Sequence, residues 1–451
     1  MSNNYALDFV YIYKALKLSP ADAYQRTSFL SLLTICFLNQ IEQGKYNAFI
    51  DEVSKNENYD ETKLDRFNFN PTEQSIAFQG VQLKTIGKLS DTLKSIASKI
   101  ESFELELFSR SEFITLYEQT LKRLQEPLKK NREAKNFDYE LRPDDLSRFI
   151  SAIASGDQLN AYDALASTGE ISNYLAAINP QWKYSIESFV QDPQYLIHKF
   201  VLAGCDEACI HRSYALSPMP VIDEGSYDLA YSLFEPKVIS KSDPKDTKFL
   251  ALKGSFDPNR IKEEIIPSKY LEHALIQHLI WSIKPDGMAI AFIGKGPLQR
   301  QGEKEARQFL LENNYVDAVI QLPSSLISAK TVELYALILK KNRTKGDVLF
   351  VNASEFYERG TKRNRLVKED EITTILENRQ EVIGISKPVS VERIIFNGYM
   401  LNVTSYVKPI KPTSIGESIS ELSQELAQQQ SITNELLNKL NKNQSVASYI
   451  F

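Results

Sequence analysis

The chain has 451 residues, 43% hydrophobic and 25% charged, enough for two or three domains that bury sizeable cores without disulfides or metals. A net charge of −5 excludes a chain that is basic throughout, so any contact with nucleic acid has to come from local patches. Three cysteines, Cys36, Cys205 and Cys209, and no signal peptide lead us to expect the reducing cytoplasm. Cys205, Cys209 and the nearby His211 fall short of the four ligands of a zinc site, so no metal is expected.

Residues 1–135 read as a helical domain, with apolar residues at three- and four-residue steps. Tyr5, Phe9, Ile12, Tyr13 and Leu16 form one stripe. Leu30, Leu33, Phe37, Leu38 and Ile41 form a second, and Ile86, Leu89, Leu93, Ile96 and Ile100 a third. Helical packing explains all three. The most apolar early run, Phe29–Ile41, is too short and too interrupted by Ser31, Thr34, Asn39 and Gln40 to span a bilayer, so it predicts a buried helix and no membrane.

A polar, basic stretch, KKNREAKN from Lys129 to Asn136, reads as a linker. Beyond it, short apolar runs alternate with amphipathic helices. The runs are Ala161–Ala166, Tyr184–Glu187, Ala208–Tyr214, Tyr227–Leu233, Met288–Gly294, Val316–Leu322, Glu333–Lys340 and Val348–Val351. Strands alternating with helices predict an α/β domain over 136–407: a largely parallel sheet of about seven strands, helices on both faces, and a ligand crevice beyond the carboxyl ends of the strands. After Tyr406, Pro409 and Pro412 interrupt regular structure. Ile415, Ile419, Leu422, Leu426, Leu436 and Leu440 then follow a heptad, with Gln429 and Thr433 as polar seam positions. The segment 408–451 therefore reads as a helix and tail that pair with another helix.

Residues 271–294, LEHALIQHLIWSIKPDGMAIAFIG, and 302–323, GEKEARQFLLENNYVDAVIQLP, are followed by LYALILKKN, VLFVNASEFYERG, NRLVKEDEITTIL and NGYMLNVTSYV. In this order they resemble the adenine-N6 DNA methyltransferases that serve as modification subunits of type I restriction systems. The resemblance covers roughly residues 140–407; residues before that fit the family's helical domain in position and length only. It implies a methyltransferase-like Rossmann sheet with an N-terminal helical domain and a C-terminal helix, in which the strand Glu333–Lys340 is antiparallel. The matching stretches are mainly scaffold. Lys284-Pro285-Asp286-Gly287 reads as a tight turn into a strand, and Glu303–Glu312 as an amphipathic helix.

The family binds S-adenosylmethionine and flips an adenine toward its methyl group. Its cofactor loop, Asp-Pro-x-Cys-Gly-x-Gly-Gly, is matched after LRPDDLSRFI by Asp163-Ala164-Leu165-Ala166-Ser167-Thr168-Gly169-Glu170. Asp163 and Gly169 survive; Ser167 crowds the loop, and Glu170 brings a carboxylate where glycine is usual. Glu187 fits the acid that binds the ribose, and Ser213 or a neighbour stands where an acid usually lies near the cofactor's adenine. The resemblance thus implies S-adenosylmethionine contacts at Asp163, Gly169 and Glu187, while the departures predict weak or absent binding. At the end of the fourth strand the family has Asn-Pro-Pro-Phe; here Ser232, Leu233, Phe234 and Glu235 take its place. Two oriented acceptors and a stacking ring are lost together, so no catalytic residue is expected.

Three basic groups are candidate DNA contacts: Lys295 and Arg300; Lys340, Lys341, Arg343 and Lys345; and Lys362, Arg363 and Arg365. Singly, each reads as a solvated loop face; together, on a scaffold that cups DNA, they suit phosphate contacts. The expected function is that of a catalytically degenerate homologue of the modification subunit. It acts as a structural or DNA-binding subunit of a DNA-modification or phage-defence assembly, docking on a methyltransferase or specificity subunit through its N-terminal domain and C-terminal helix. The alternatives are a functional adenine-N6 methyltransferase and a module that senses S-adenosylmethionine without transferring methyl.

Overall fold

The computed structural model describes residues 2–103, 108–125, 144–166, 169–188, 194–205, 208–234, 256–267, 271–327, 333–344, 346–360 and 363–408, with 426 and 430. Residues 1–407 form one compact unit. Its first part is helical: α1 (Ser2–Ala15), α2 (Ala23–Ile41), α3 (Asn47–Lys55), α4 (Pro71–Val81), α5 (Leu89–Glu101) and α6 (Arg110–Gln125). Asp22 caps α2 by accepting from the Gln25 amide, and Asn70 and Glu73 close a capping box on α4, with Pro71 in its first turn. Every residue of α2 from Arg26 to Leu38 is buried, because α4, α5, α6 and α9 surround it. No helix among the described residues is long and apolar enough to cross a membrane. Ile86 departs from its expected stripe: it ends a separate 3-10 turn, Gln82–Ile86, and is exposed.

The strands β1 (Asn160–Asp163), β2 (Lys183–Glu187), β3 (Ala208–His211), β4 (Tyr227–Leu233), β5 (Ile283–Ile293), β6 (Val316–Gln321), β7 (Tyr335–Lys340), β8 (Val348–Asn352) and β11 (Ser386–Val389) form one sheet. A separate hairpin joins β9 (Tyr357–Arg359) to β10 (Asn364–Leu366). Among the described residues the sheet has nine strands in the order β11-β8-β6-β7-β5-β4-β1-β2-β3, two more than the seven expected. β7 runs antiparallel to both β5 and β6, as the resemblance implies, and β11 is antiparallel to β8. β11 reads Ser-Lys-Pro-Val, with no apolar run to betray it. Pro388, which cannot donate a ladder hydrogen bond, is tolerated because β11 is an edge.

Lys284-Pro285-Asp286-Gly287 is not a turn ahead of a strand but an irregularity inside β5. Tyr227 pairs with Ile283 and Leu229 with Met288, so the tetrapeptide bulges out of register. Gly287 is required there: a Cβ would lie 2.9 Å from the Tyr227 carbonyl oxygen and 3.1 Å from that of Asp228.

The remaining helices are α7 (Asp144–Ile153), α8 (Glu170–Ile178), α9 (Gln194–Ala203), α10 (Glu272–Ser282), α11 (Gly296–Gln299), α12 (Lys304–Glu312), α13 (Glu369–Asn378) and α14 (Val391–Phe396). Strand residues alternate between two cores. Leu229, Tyr231, Ala336 and Ile338 join one, which continues into α1–α6; Ala230, Phe234, Leu337 and Leu339 join the other, with α10 and α12. Because both faces are covered, the strands are apolar almost throughout.

Candidate cofactor and base site

The carboxyl ends of β1, β2 and β4 carry Asp163, Glu187 and Ser232 to Phe234, and Ser213 follows β3. Asp163 is turned toward α8. It is 3% exposed and accepts from Ser172 Oγ at 2.5 Å and from the Leu165 amide at 3.3 Å. Ser172 Oγ also lies 2.8 Å from the Tyr231 hydroxyl. Burial pushes the Asp163 carboxyl up to about 7, against the two hydrogen bonds that favour its charged form. Gly169 begins α8 with φ +71°, and a Cβ there would lie 2.5 Å from Leu196 Cδ2 of α9. The glycine therefore serves a left-handed backbone and a close helix approach. Ser167 lies outside the described residues, as does the side chain of Glu170.

Glu187 is 1% exposed, and each of its oxygens is already engaged. The Tyr162 hydroxyl donates to Oε1 at 2.6 Å, and Ser213 Oγ donates to Oε2. The Tyr162 oxygen lies 2.8 Å from Nε2 of His278 on α10. Burial, with the charge of Arg260 adding to it, pulls His278 down to about 3, so the imidazole is neutral. Since the Tyr162 proton goes to Glu187, Nε2 carries the hydrogen and donates to Tyr162. Nδ1 is then left without a partner among the described residues. Burial, then Glu187, push the Tyr162 phenol well above its ordinary range.

Ser232 is fully buried, and its Oγ finds no partner among the described residues. Leu233 is half-buried. Phe234 packs in the core beside α10, its amide donating to the Phe292 carbonyl at 2.9 Å. Glu235 lies outside the described residues. Among the described residues no three His, Cys, Asp or Glu side chains are arranged to hold a metal.

A cofactor ribose needs an acid with acceptor oxygens open to the crevice. Among the described residues, Glu187 holds a hydroxyl of its own chain on each oxygen and Asp163 is turned to α8, so neither presents the open acceptor that a ribose needs. Reading the sequence missed Tyr162, His278 and Arg260. The first adjoins Asp163, and His278 is a polar residue among the apolar positions of α10; those are the only local signals.

Residues 246–414 match the family model for N-6 DNA methylases. That stretch is similar to N-6 DNA methylases. The type I restriction enzyme MpnII methylase subunit of Mycoplasma pneumoniae is 33% identical over 147 residues, covering 32% of this chain and 27% of that one. The MjaVII methylase subunit of Methanocaldococcus jannaschii is 37% identical over 128 residues, 26% of this chain and 22% of that one. These matches span about a quarter of the relatives' own lengths. The fold is shared with the type I restriction-modification methyltransferase subunit of Streptococcus thermophilus, at a TM-score of 0.60 and 15% identity, over 90% of this chain and 100% of that one. The matched stretch begins after β4, so Asp163, Glu187, Ser213 and Ser232 to Phe234 all precede it.

The candidate DNA contacts all fall within this stretch, and most are engaged by the protein itself. Lys295 lies 3.6 Å from Glu333, and Arg300 bridges Glu272 and Glu303, both at 3.0 Å. Lys340 and Arg343 meet Asp317 at 3.0 Å, joined there by Arg379. Lys341 donates to the carbonyls of Trp281 and Ile283. Arg363 holds Asp144 and Asp145 at 2.7 and 2.8 Å, and Arg365 is exposed. Lys345 and Lys362 lie outside the described residues. Lys340 ends β7, which runs antiparallel to β5, whereas Lys295 and Arg300 follow the end of β5. The basic groups therefore sit at opposite margins of the sheet.

Proposed function

We propose that this protein is a catalytically degenerate homologue of type I methylase subunits, one that contributes a methyltransferase-shaped body to a DNA-modifying or phage-restricting assembly in the cytoplasm. The observation that carries this reading is the end of β4, where Ser232 is buried with no partner among the described residues and Phe234 belongs to the core. Methylating an exocyclic amine calls for two fixed acceptors on that amine and a ring to stack the flipped base. A buried serine hydroxyl and an inward-packed phenylalanine supply neither.

The working parts are an N-terminal helical domain (1–135), a methyltransferase-like domain (136–407) and a C-terminal segment (408–451). The first and last are the docking surfaces for a methyltransferase or specificity subunit. Two relatives are themselves named as subunits of restriction enzymes, which supports an assembly role. DNA contact falls to Arg365, which is exposed, and to Lys295 and Arg300, which follow the carboxyl end of β5. The purified chain, incubated with duplex DNA and methyl-labelled S-adenosylmethionine, should transfer no label to adenine. Genomic DNA from cells expressing this chain alone should carry no new N6-methyladenine. Label at a defined motif, lost in Ser232→Ala, would overturn the reading.

A further inference from the structure

Tyr162 occupies an interior position of β1, yet its hydroxyl reaches the carboxyl end of β2. Its ring stacks on Tyr227 with centroids 4.8 Å apart, and it is fully buried. It cannot swing aside without unpairing Glu187 and His278 together. The loop after β3 closes over the same place. Ser213 donates to Glu187, while the carbonyls of Ala215 and Ser217 accept from buried Arg260. Arg260 lies across the Trp281 and Phe256 rings at 5.8 and 5.7 Å, and its charge balances that of Glu187 nearby. Ala215 and Leu216 are buried in the core beside α10. One carboxylate thus gathers a hydroxyl from below and a hydroxyl from above, and one guanidinium pins the loop that brings the second.

We propose that Tyr162 and the Ser213–Ser217 loop form an internal plug, their two hydroxyls taking the acceptors on Glu187 that a ribose diol would otherwise need. This rests on the reading above, in which Glu187 holds the place of the ribose-binding acid. The plug is what excludes a nucleoside ligand. Physically, a buried carboxylate demands donors. Side chains supplied by the fold are always present, whereas a cofactor must be recruited.

The test uses the full chain and S-adenosylhomocysteine as the probe. The wild type should show no saturable heat on titration and no change in melting temperature. Tyr162→Ala combined with Ser213→Ala opens the space and frees Glu187; that variant should bind the probe at least about tenfold more tightly than wild type, a difference of ~1.4 kcal/mol. Should the double variant not fold, the Tyr162 hydroxyl proton decides. It should appear as a slowly exchanging downfield NMR resonance, absent in Tyr162→Phe, and stay unchanged when probe is added to wild type. Saturable wild-type binding that Glu187→Gln weakens tenfold overturns the plug, as does a folded double variant that binds no better than wild type or a hydroxyl resonance that vanishes with the probe. Each of these leaves the absence of methyl transfer to be judged by the labelled-methyl assay alone.

Discussion

Asp163 is held by forces that pull its charge in opposite directions. Ser172 and the Leu165 amide favour the carboxylate, yet full burial outweighs them and raises the group from 3.8 to about 7. Below the unfolded value both states hold the proton and nothing is lost. As pH rises toward the folded value, the unfolded chain ionises first and folding loses stability; above it the penalty is complete. Three pKa units correspond to ~4 kcal/mol, a ceiling for a site that can relax. Asparagine keeps one acceptor, for the Leu165 amide, turns its Nδ2 donor to Ser172 Oγ, which can donate to the Tyr231 hydroxyl instead, and removes the titration. Asp163→Asn should therefore melt closer to wild type, or below it, at about pH 5, and several degrees above it at about pH 8. A gap that does not change with pH would mean that Asp163 ionises normally. Little of this was legible beforehand. An acid at the end of β1 could be read from its neighbours in sequence, but its turn toward Ser172 and Tyr231 could not. Tyr162 and His278 are 116 residues apart in the chain, and no local pattern announces their contact. The ion pairs of the basic runs were hidden for a related reason: the acids that engage them, Asp317, Glu272 and Asp144, come from other elements.

At the scale of the element, the strands that read most clearly are those buried on both faces. β4, β6, β7 and β8 show as apolar runs because helices cover them on either side. β7 was placed antiparallel by family resemblance; its own residues carry no mark of direction. Lys284 to Gly287 looked like a turn because Pro-Asp-Gly is turn chemistry, and the chain does bulge there, but β5 resumes its pairing on both sides. Gly287 makes that bulge testable. A Cβ would press on two backbone carbonyls, which cannot rotate away as a flexible side chain could. Gly287→Ala should cost about 1–3 kcal/mol by overpacking. The loss would appear as a lower denaturation midpoint, with the circular dichroism of the folded state retained. An unchanged midpoint would show that the bulge has slack.

At the scale of the whole molecule, the α1–α6 helices and the sheet are not separable by their cores. His198 of α9 lies between Ser31 of α2, at 3.1 Å, and Tyr117 of α6, at 2.7 Å, fully buried and held neutral by desolvation. The helical region therefore braces the β1–β3 side of the sheet, and assembly surfaces have to be sought on its outward faces and in the C-terminal segment. The C-terminal heptads from Ile415 to Leu440 are the strongest such candidate. Leu426 is described and is 61% exposed, and its companions lie outside the described residues. An exposed leucine on a heptad seam gains stability only when a second helix covers it. Each seam leucine buried in a pair should contribute about 1.5–3 kcal/mol, so two carry enough to decide association at micromolar concentrations. Leu422→Glu with Leu426→Glu should abolish assembly with a second copy or a partner subunit, read as a fall in mass by light scattering or co-purification. Since both residues lie beyond the 1–407 unit, the melting temperature of the main body should not move. A double variant that assembles like wild type would reduce the segment to a tail and shift the search for partners to the exposed faces of the helical region.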